Sequence, residues 1–290
     1  MRLLMGWLLV LAVGCGDSIT DTTPASQGDP GAGRSGDEGG TSGPDHGTGT
    51  EAPLELEDTG TRGTLGVGHT FVIVQDEDDP DRALPVEVWY PTEATDGALA
   101  SYLIGEMGGL KLKDDSTFVL AEPPAAEGPW PFVIFSHGYG AIRNQSLQLC
   151  EVLASHGFVV VSADHVGNTA ADEFNGIAVD FDTAAAQRPA DVKTLLDAFL
   201  GEEPPADMLK GQINAQEVGI TGHSFGGYTA LVGVGGLASA GAAGDPRIKA
   251  IAPISPGAQA MTEDDWAAVN VPTLFLAGTA DTVTPIEPSV

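Results

Sequence analysis

Four short, almost uninterrupted apolar runs constrain the fold of this chain more than any other feature. They read FVIFS, FVVVSA, VGIT and TLFLA, and each has the length of a single strand. Strands have this continuous apolar character when both of their faces are buried, as in a parallel sheet that helices cover on both sides. The runs therefore predict a mostly parallel sheet flanked by helices.

Further strands and helices complete an alternating pattern, which is typical of the α/β class. The predicted strands are residues 69–74, 86–90, 132–136, 158–163, 218–221, 250–254 and 273–277. The predicted helices are residues 145–155, 188–200, 225–238 and 263–268. Pro189 is placed in the first turn of the second helix, where a missing N–H is tolerated. Because no internal boundary is visible, residues 65–290 are predicted to form one domain.

The chain begins with a segment that is typical of an exported protein. Arg2 precedes an apolar run at residues 3–13, which is too short for a bilayer span of about 20 residues. Residues 11–15 resemble a bacterial lipoprotein signal, so residues 1–14 are predicted to be removed and Cys15 to carry a lipid. An ordinary secretory signal is the alternative. Either way the prediction is export, to the cell envelope as a lipoprotein or into the medium.

Residues 15–64 are predicted to be a disordered tether. The segment is rich in Gly, Ser, Thr, Asp and Pro. Such a composition cannot bury enough apolar surface to offset the entropy that is lost on ordering. As a flexible coil it would span roughly 40 Å, which suits a domain held away from a membrane surface.

Composition excludes two classes of function and leaves a third open. The formal net charge of −29 repels phosphate backbones, so no nucleic-acid partner is expected. The two cysteines cannot build a disulfide scaffold, and no Cys/His group has the spacing of a zinc site. The acidic run at residues 76–81 lacks the spacing of an EF-hand, and calcium binding there is left open.

The segment GHSFGG at residues 222–227 is the strongest indication of chemistry. It follows a predicted strand and opens a predicted helix. A serine on such a tight turn needs glycine two positions before it and two positions after it, because side chains there would clash. Ser224 is therefore the predicted nucleophile, and a plain glycine turn is the alternative. The backbone N–H of Phe225, directly after it, is a predicted donor to the oxyanion that forms on an attacked carbonyl.

A carboxylate stands at a third informative position. The segment LAGTADTVTP, residues 276–285, leads from an apolar strand into a turn of small residues with Asp281 at its tip. In a Ser-His-Asp triad the acid orients the histidine and stabilises its charged form, and an acid after the serine agrees with the chain order serine, acid, histidine of one class of such triads. Asp281 is therefore the predicted acid. The alternative is an aspartate that only hydrogen-bonds its own turn.

Together with SHGYG at 136–140, ADHVGNT at 163–169 and RPAD at 188–191, these segments resemble the α/β-hydrolase superfamily. Within it they are similar to the branch that contains dienelactone hydrolases, platelet-activating-factor acetylhydrolases and cutinases. The resemblance implies an α/β-hydrolase fold and a serine esterase without a metal or an organic cofactor. It also implies that Tyr139 provides the second oxyanion donor and that His137 braces this loop. Mammalian-type acetylhydrolases have their acid where this chain reads ISPG at 254–257, which argues against transferring phospholipid specificity.

The same resemblance implies a histidine base after the acid, and residues 282–290 contain none. A strand alone needs about five or six residues, so a strand and a helix cannot fit in this segment. The base is therefore expected beyond residue 290, and the domain is predicted to lack its last strand and helix as printed. His165, the only substitute considered, is predicted to line the substrate pocket.

These features predict a carboxylic ester hydrolase that works through an acyl-enzyme intermediate. The ester is left open among short-chain, lactone, lipid and polyester substrates, and the oligomeric state is not predicted. A non-catalytic surface lipoprotein with a hydrolase fold is the first alternative, since the histidine is missing. A peptidase similar to prolyl oligopeptidase is the second, although the tether does not supply the large extra domain of such enzymes.

Overall fold

The computed structural model describes residues 61–77, 79–107, 110–237, 243–259 and 261–285. The predicted signal segment, Cys15 and most of the predicted tether lie outside these residues and stay predictions. Residues 61–64, at the predicted end of the tether, contact the domain, and the N–H of Gly63 donates to Ser155 Oγ at 2.8 Å. Within the described ranges, no helix combines the length and the apolar character that a membrane crossing requires.

A mixed sheet forms the centre of the described domain. Its strands are β1 (Gly66–Gln75), β2 (Ala83–Thr92), β3 (Leu99–Met107), β4 (Leu110–Ala121), β5 (Trp130–Ser136), β6 (Val159–Ala163), β7 (Ile213–His223) and β8 (Ala250–Ile254). They lie in the order β3-β4-β1-β2-β6-β5-β7-β8. The half from β6 to β8 is parallel, whereas β2 pairs antiparallel with both β1 and β6. The carboxyl ends of β5, β6, β7 and β8 therefore meet at one edge.

Helices cover both faces of this sheet. They are α1 (Leu147–Ser155), α2 (Ala170–Asn175), α3 (Phe181–Leu200), α4 (Phe225–Gly235) and α5 (Glu263–Ala267). Alternate side chains of β5 enter different cores, since Phe132 and Ile134 pack with α3 and α4 while Val133 and Phe135 pack with α1. Each fully buried side chain of this size stabilises the fold by about 1.5–3 kcal/mol. The predicted double-sided burial is confirmed for β5, for β6 and for residues 218–221 of β7, and it is wrong for the run TLFLA, in which Phe275 is 36% exposed.

The structure corrects several predicted boundaries. The hairpin of β3 and β4 is not predicted, because β4 is largely exposed and charged and has no apolar run. Helix α3 begins at Phe181, where the side chain of Asp180 caps it by accepting from the N–H of Thr183, so Pro189 lies inside the helix and not in its first turn. Helix α4 ends at Gly235. The predicted strand 273–277 pairs with β8 through isolated bridges at Thr273 and Leu276.

Candidate active site

Ser224 stands at a sharp turn between the end of β7 and the start of α4. Its φ of 56° and ψ of −113° form a backbone conformation that residues with a Cβ adopt only under strain. The end of β8 holds this turn, because the N–H of Ser224 donates to the carbonyl of Ile254 at 2.9 Å and its own carbonyl accepts from the N–H of Gly257 at 3.0 Å. The strand–turn–helix context that the sequence predicts is therefore present.

Two glycines allow this turn to touch the loop that follows β5. A Cβ on Gly226 would lie 1.8 Å from the carbonyl oxygen of Ser136, and a Cβ on Gly222 would lie 2.5 Å from the same oxygen. The carbonyl cannot move away easily, because Ser136 and Gly222 are paired in neighbouring strands. The need for glycine two positions before and after Ser224 is therefore steric.

We expect Gly226→Ala to lower the free energy of unfolding by at least about 3 kcal/mol, because overpacking against backbone cannot be relieved by side-chain rotation. Gly233→Ala in the same helix is the matched control. Its nearest contacts would be the side-chain ends of Ile220 and Ile248, at 3.2 and 3.4 Å, and of Val192, at 3.9 Å, so a change within about 1 kcal/mol is expected. Urea unfolding followed by tryptophan fluorescence measures both, and equal losses would contradict the steric explanation.

The loop of residues 136–140 lies beside the turn of residues 222–226 that carries Ser224, called the elbow from here on. The ring of Tyr139 meets the ring of Phe225 edge to face, with centroids 5.6 Å apart. Among the described residues, neither the backbone N–H of Tyr139 nor that of Phe225 has a hydrogen-bond acceptor. Two unoccupied donors on adjacent segments next to a serine are the arrangement that an oxyanion requires.

His137 is fully buried beneath this loop. Its Nε2 accepts from the backbone N–H of His165 at 3.1 Å, so the ring proton resides on Nδ1. Nδ1 lies 2.7 Å from the carbonyl oxygen of Gly138 and donates to it. Burial holds the pKa of His137 well below its usual range, so the ring is neutral. Its contacts hold the loop in shape and none of them is with Ser224.

The prediction that His165 lines the substrate pocket is wrong, because the side chain is buried inside the domain. His165 is 2% exposed. Its Nδ1 lies 2.8 Å from Asp191 Oδ2 and its Nε2 lies 2.9 Å from Ser136 Oγ. These partners draw the imidazole under the loop and away from Ser224, and burial lowers its pKa to about 4.

The sequence marked Arg188 and Asp191 as the start of a helix and as part of the RPAD segment of the family resemblance, and the structure gives both a place beneath the site. Each is at most 1% exposed. The guanidinium of Arg188 donates to the loop after β5, and Asp191 forms an ion pair with Arg82. Their spacing of three residues on one helix face was the available signal, because such residues share a side of the helix.

Asp281 lies at the same edge of the sheet, after the residues that pair with β8. Its Oδ1 accepts from the N–H groups of Val283 and Thr284, each at 2.9 Å, and its Oδ2 accepts from Thr284 Oγ1 at 2.7 Å. These bonds lower the pKa of Asp281 to about 2. They are the bonds of a turn-forming aspartate, and Ser255, which follows β8, also lowers the pKa of Asp281.

No described histidine forms a hydrogen bond with the hydroxyl of Ser224. His223 is half-buried, and its Nδ1 lies 2.9 Å from Gln145 Nε2. The predicted histidine beyond residue 290 lies outside the described residues and stays a prediction.

An aromatic cluster borders Ser224. Phe181 stacks on Tyr139 at 5.8 Å between centroids and lies 5.0 Å from Phe225, which in turn stacks on Tyr228 at 5.3 Å. Phe225 and Tyr228 are buried, whereas Tyr139 and Phe181 are 42% and 52% exposed. Sequence reasoning missed Phe181, because it placed the start of α3 after this residue, and it also missed Tyr228, which lies inside the predicted helix 225–238. The cluster provides an apolar wall next to Ser224.

Comparisons with known proteins point to ester hydrolases. A family model described as PETase, PET hydrolase-like, matches residues 120–290. Cutinase 2 of Thermobifida cellulosilytica is 28% identical over 163 residues, which are 56% of this chain and 52% of the cutinase. Platelet-activating factor acetylhydrolase of Cavia porcellus is 29% identical over 198 residues, covering 54% of this chain and 44% of that protein. The chain thus spans about half the length of the curated relatives it matches.

A solved structure supports the fold. The ferulic acid esterase of Streptomyces cinnamoneus superimposes with a TM-score of 0.53 over 75% of this chain and 74% of that one, at 21% identity. A likeness at this identity concerns the fold alone. The prediction of an α/β-hydrolase fold, with a mostly parallel sheet flanked by helices, is confirmed.

Proposed function

Because this chain belongs to the PET hydrolase-like family, we propose that it hydrolyses carboxylic esters through an acyl-enzyme intermediate on Ser224. One observation supports this most directly. Ser224 stands on a strained turn directly before Phe225, whose ring contacts that of Tyr139, and the backbone N–H groups of Tyr139 and Phe225 have no acceptor among the described residues. A serine nucleophile and two oxyanion donors are two of the three parts that acyl transfer needs, and the third is a base.

In the proposed reaction, Ser224 Oγ attacks the ester carbonyl and loses its proton to a base. The carbonyl oxygen becomes an oxyanion that accepts from the N–H groups of Tyr139 and Phe225, and each such donor contributes about 10²–10³ to kcat. The alcohol then leaves with the proton from the base. In the second half, the base takes a proton from water, the water oxygen attacks the acyl carbonyl, and Ser224 Oγ leaves with the proton as the acid is released. The proposed base is the histidine predicted beyond residue 290, with Asp281 holding its tautomer.

For the substrate we propose an ester whose acyl part is apolar or aromatic. The half-exposed rings of Tyr139 and Phe181 flank the nucleophile, and the buried Phe225 and Tyr228 back them. Apolar surface that a substrate covers at these rings would stabilise the complex by roughly 25 cal/mol per Å². The four side chains of this wall are all uncharged, so an uncharged acyl group fits it best.

For localisation we propose export, with a lipid anchor on Cys15 as the expected form and a secreted protein as the other. The support is the sequence of residues 1–64. A membrane would then be a partner through the anchor and not through a helix of the domain.

The non-catalytic alternative is favoured by one observation, the lack of a hydrogen bond between Ser224 and any described histidine. Acyl-enzyme trapping decides between the two. The full-length protein is mixed with 4-nitrophenyl butyrate, quenched in acid and examined by intact mass and peptide mapping. We expect release of nitrophenol and one butyryl group on Ser224. Folded protein that never acylates at Ser224 would support the non-catalytic alternative, and cleavage of peptide nitroanilides in preference to esters would support the peptidase.

A further inference from the structure

We propose that Arg188 is a positioning residue for the oxyanion loop and that it acts through the carbonyl of Gly138. This inference rests on the proposed function, in which the N–H of Tyr139 is an oxyanion donor. Arg188 is one of the largest fully buried side chains of the described domain, and the reaction proposed above does not use it directly.

The guanidinium of Arg188 contacts both segments that provide the proposed donors. On one side it donates to Ser136 Oγ at 2.9 Å, to the carbonyl of His137 at 2.8 Å and to the carbonyl of Gly138 at 3.3 Å. On the other side its central carbon lies 4.8 Å from the centroid of the Phe225 ring. One side chain therefore sets the distance between the loop after β5 and the first turn of α4.

The hydrogen bond from Arg188 to the carbonyl of Gly138 also sets the direction in which the N–H of Tyr139 points. The carbonyl oxygen of Gly138 and the N–H of Tyr139 belong to the same peptide unit, which is planar and trans, so the two groups point in opposite directions. Arg188 and the Nδ1 of His137 both donate to that oxygen from within the domain. The N–H of Tyr139 must then point away from the guanidinium, and rotation of this peptide plane would break both bonds.

A buried network holds Arg188 in this place. Its second nitrogen also donates to Asn168 Oδ1 at 2.6 Å, and Ser136 Oγ links it to His165. His165 is held by Asp191, which is fixed in turn by two bonds from Arg82 at 2.6 and 2.8 Å. Burial lowers the pKa of Arg188 to about 9 while the charge of Asp191 raises it, so the side chain is charged at neutral pH.

Stability alone is a weak reason for this network. Buried ion pairs contribute little or nothing to stability compared with apolar side chains of the same volume, because both charges lose their hydration. The network does provide a rigid set of donors at the carbonyls of His137 and Gly138. Fixed dipoles that need no rearrangement during the reaction are what an oxyanion hole requires.

The test uses three variants of the full-length protein: Arg188→Lys, Ser136→Ala and the control Ser162→Ala. Lysine keeps the charge but cannot donate to Gly138 and Asn168 together. Ser136→Ala removes the hydroxyl that joins Arg188 to His165 and serves if Arg188→Lys does not fold. Ser162→Ala is the control, because Ser162 is equally buried, lies in the neighbouring β6 and also donates one hydrogen bond, to the carbonyl of Arg143 at 2.7 Å.

For 4-nitrophenyl butyrate we expect Arg188→Lys to lower kcat by about 10²-fold and Ser136→Ala by about tenfold, each with KM within about threefold of the parent value. Ser162→Ala should keep both constants. Amide hydrogen exchange gives a second readout that does not depend on activity. The N–H of Gly138 donates to Gln145 Oε1 at 2.7 Å, and the N–H of Ala141 donates to the carbonyl of Gly138 at 3.3 Å. Both should exchange faster in Arg188→Lys and in Ser136→Ala, while the N–H groups of β6 and β7 stay protected.

Each outcome decides the matter. Unchanged kcat together with unchanged exchange at Gly138 and Ala141 would overturn the role of Arg188, as would equal effects from Ser162→Ala. If the parent protein has no turnover that depends on Ser224, the proposed function fails separately. In that case faster exchange confined to residues 138–141 still supports Arg188 as the residue that orders the loop, and unaltered exchange rejects it.

Discussion

Replacing Ser224 with alanine is expected to lower kcat/KM for ester hydrolysis by about four to six orders of magnitude. The Oγ of Ser224 is the one protein atom that forms a covalent bond to the substrate in the proposed reaction. What remains in the variant is the stabilisation of the oxyanion and the binding of the ester. The fold should persist, because the hydroxyl of Ser224 donates no cap bond to α4 and alanine takes the same backbone conformation at the same strain. A continuous 4-nitrophenyl butyrate assay, together with thermal unfolding, measures both expectations.

Ser101→Ala is the control for this measurement. Ser101 is exposed on β3, so its replacement should change neither the rate nor the midpoint of unfolding by more than a small amount. Full activity in Ser224→Ala would exclude Ser224 from the mechanism and would assign the turnover to another site or another protein.

The elbow is predictable from sequence because its constraint is local. Gly222 and Gly226 lie within two residues of Ser224, and each is required by the same carbonyl oxygen of Ser136. The central strands are predictable for a similar reason, since burial on both faces leaves a continuous apolar run in each of them. By contrast, β3 and β4 pair with each other, and the exposed, charged side chains of β4 give no such run.

The layer beneath the loop could not be predicted in the same way. Arg82 and Asp191 are 109 residues apart, and Arg188 meets Ser136 across 52 residues. Nothing near either arginine in sequence shows which carbonyl or carboxylate it will meet. His165 illustrates the consequence. Its position after a central strand is consistent with a pocket wall, but a carboxylate on α3 holds it inside.

Asp281 shows a different limit, because one set of local bonds fits two functions. A turn-forming aspartate and a triad acid both accept from the backbone of their own turn, so the contacts with Val283 and Thr284 do not separate them. Only the effect on the reaction separates the two.

We expect Asp281→Asn to lower kcat by about 10⁴-fold while it leaves the stability nearly unchanged. The amide oxygen of asparagine can still accept from the N–H groups of Val283 and Thr284, so the turn keeps its shape, but the charge that stabilises an imidazolium is lost. Because the pKa of Asp281 is lowered to about 2, the parent carboxylate stays ionised from pH 4 upward. An acid limb of the pH–rate profile above pH 4 must therefore come from another group, the proposed histidine.

Thr284→Val is the matched control, since it disturbs the same turn and keeps the charge. It removes the hydroxyl that donates to Asp281 Oδ2 at 2.7 Å, and we expect it to lower kcat by less than about tenfold. Parallel kcat measurements and urea unfolding of the two variants give the answer. If Asp281→Asn costs no more activity than Thr284→Val, Asp281 only shapes its turn. If Asp281→Asn loses activity and Thr284→Val does not, the carboxylate of Asp281 acts on a base. A base is the part that the proposed reaction needs in addition to Ser224 and the N–H groups of Tyr139 and Phe225.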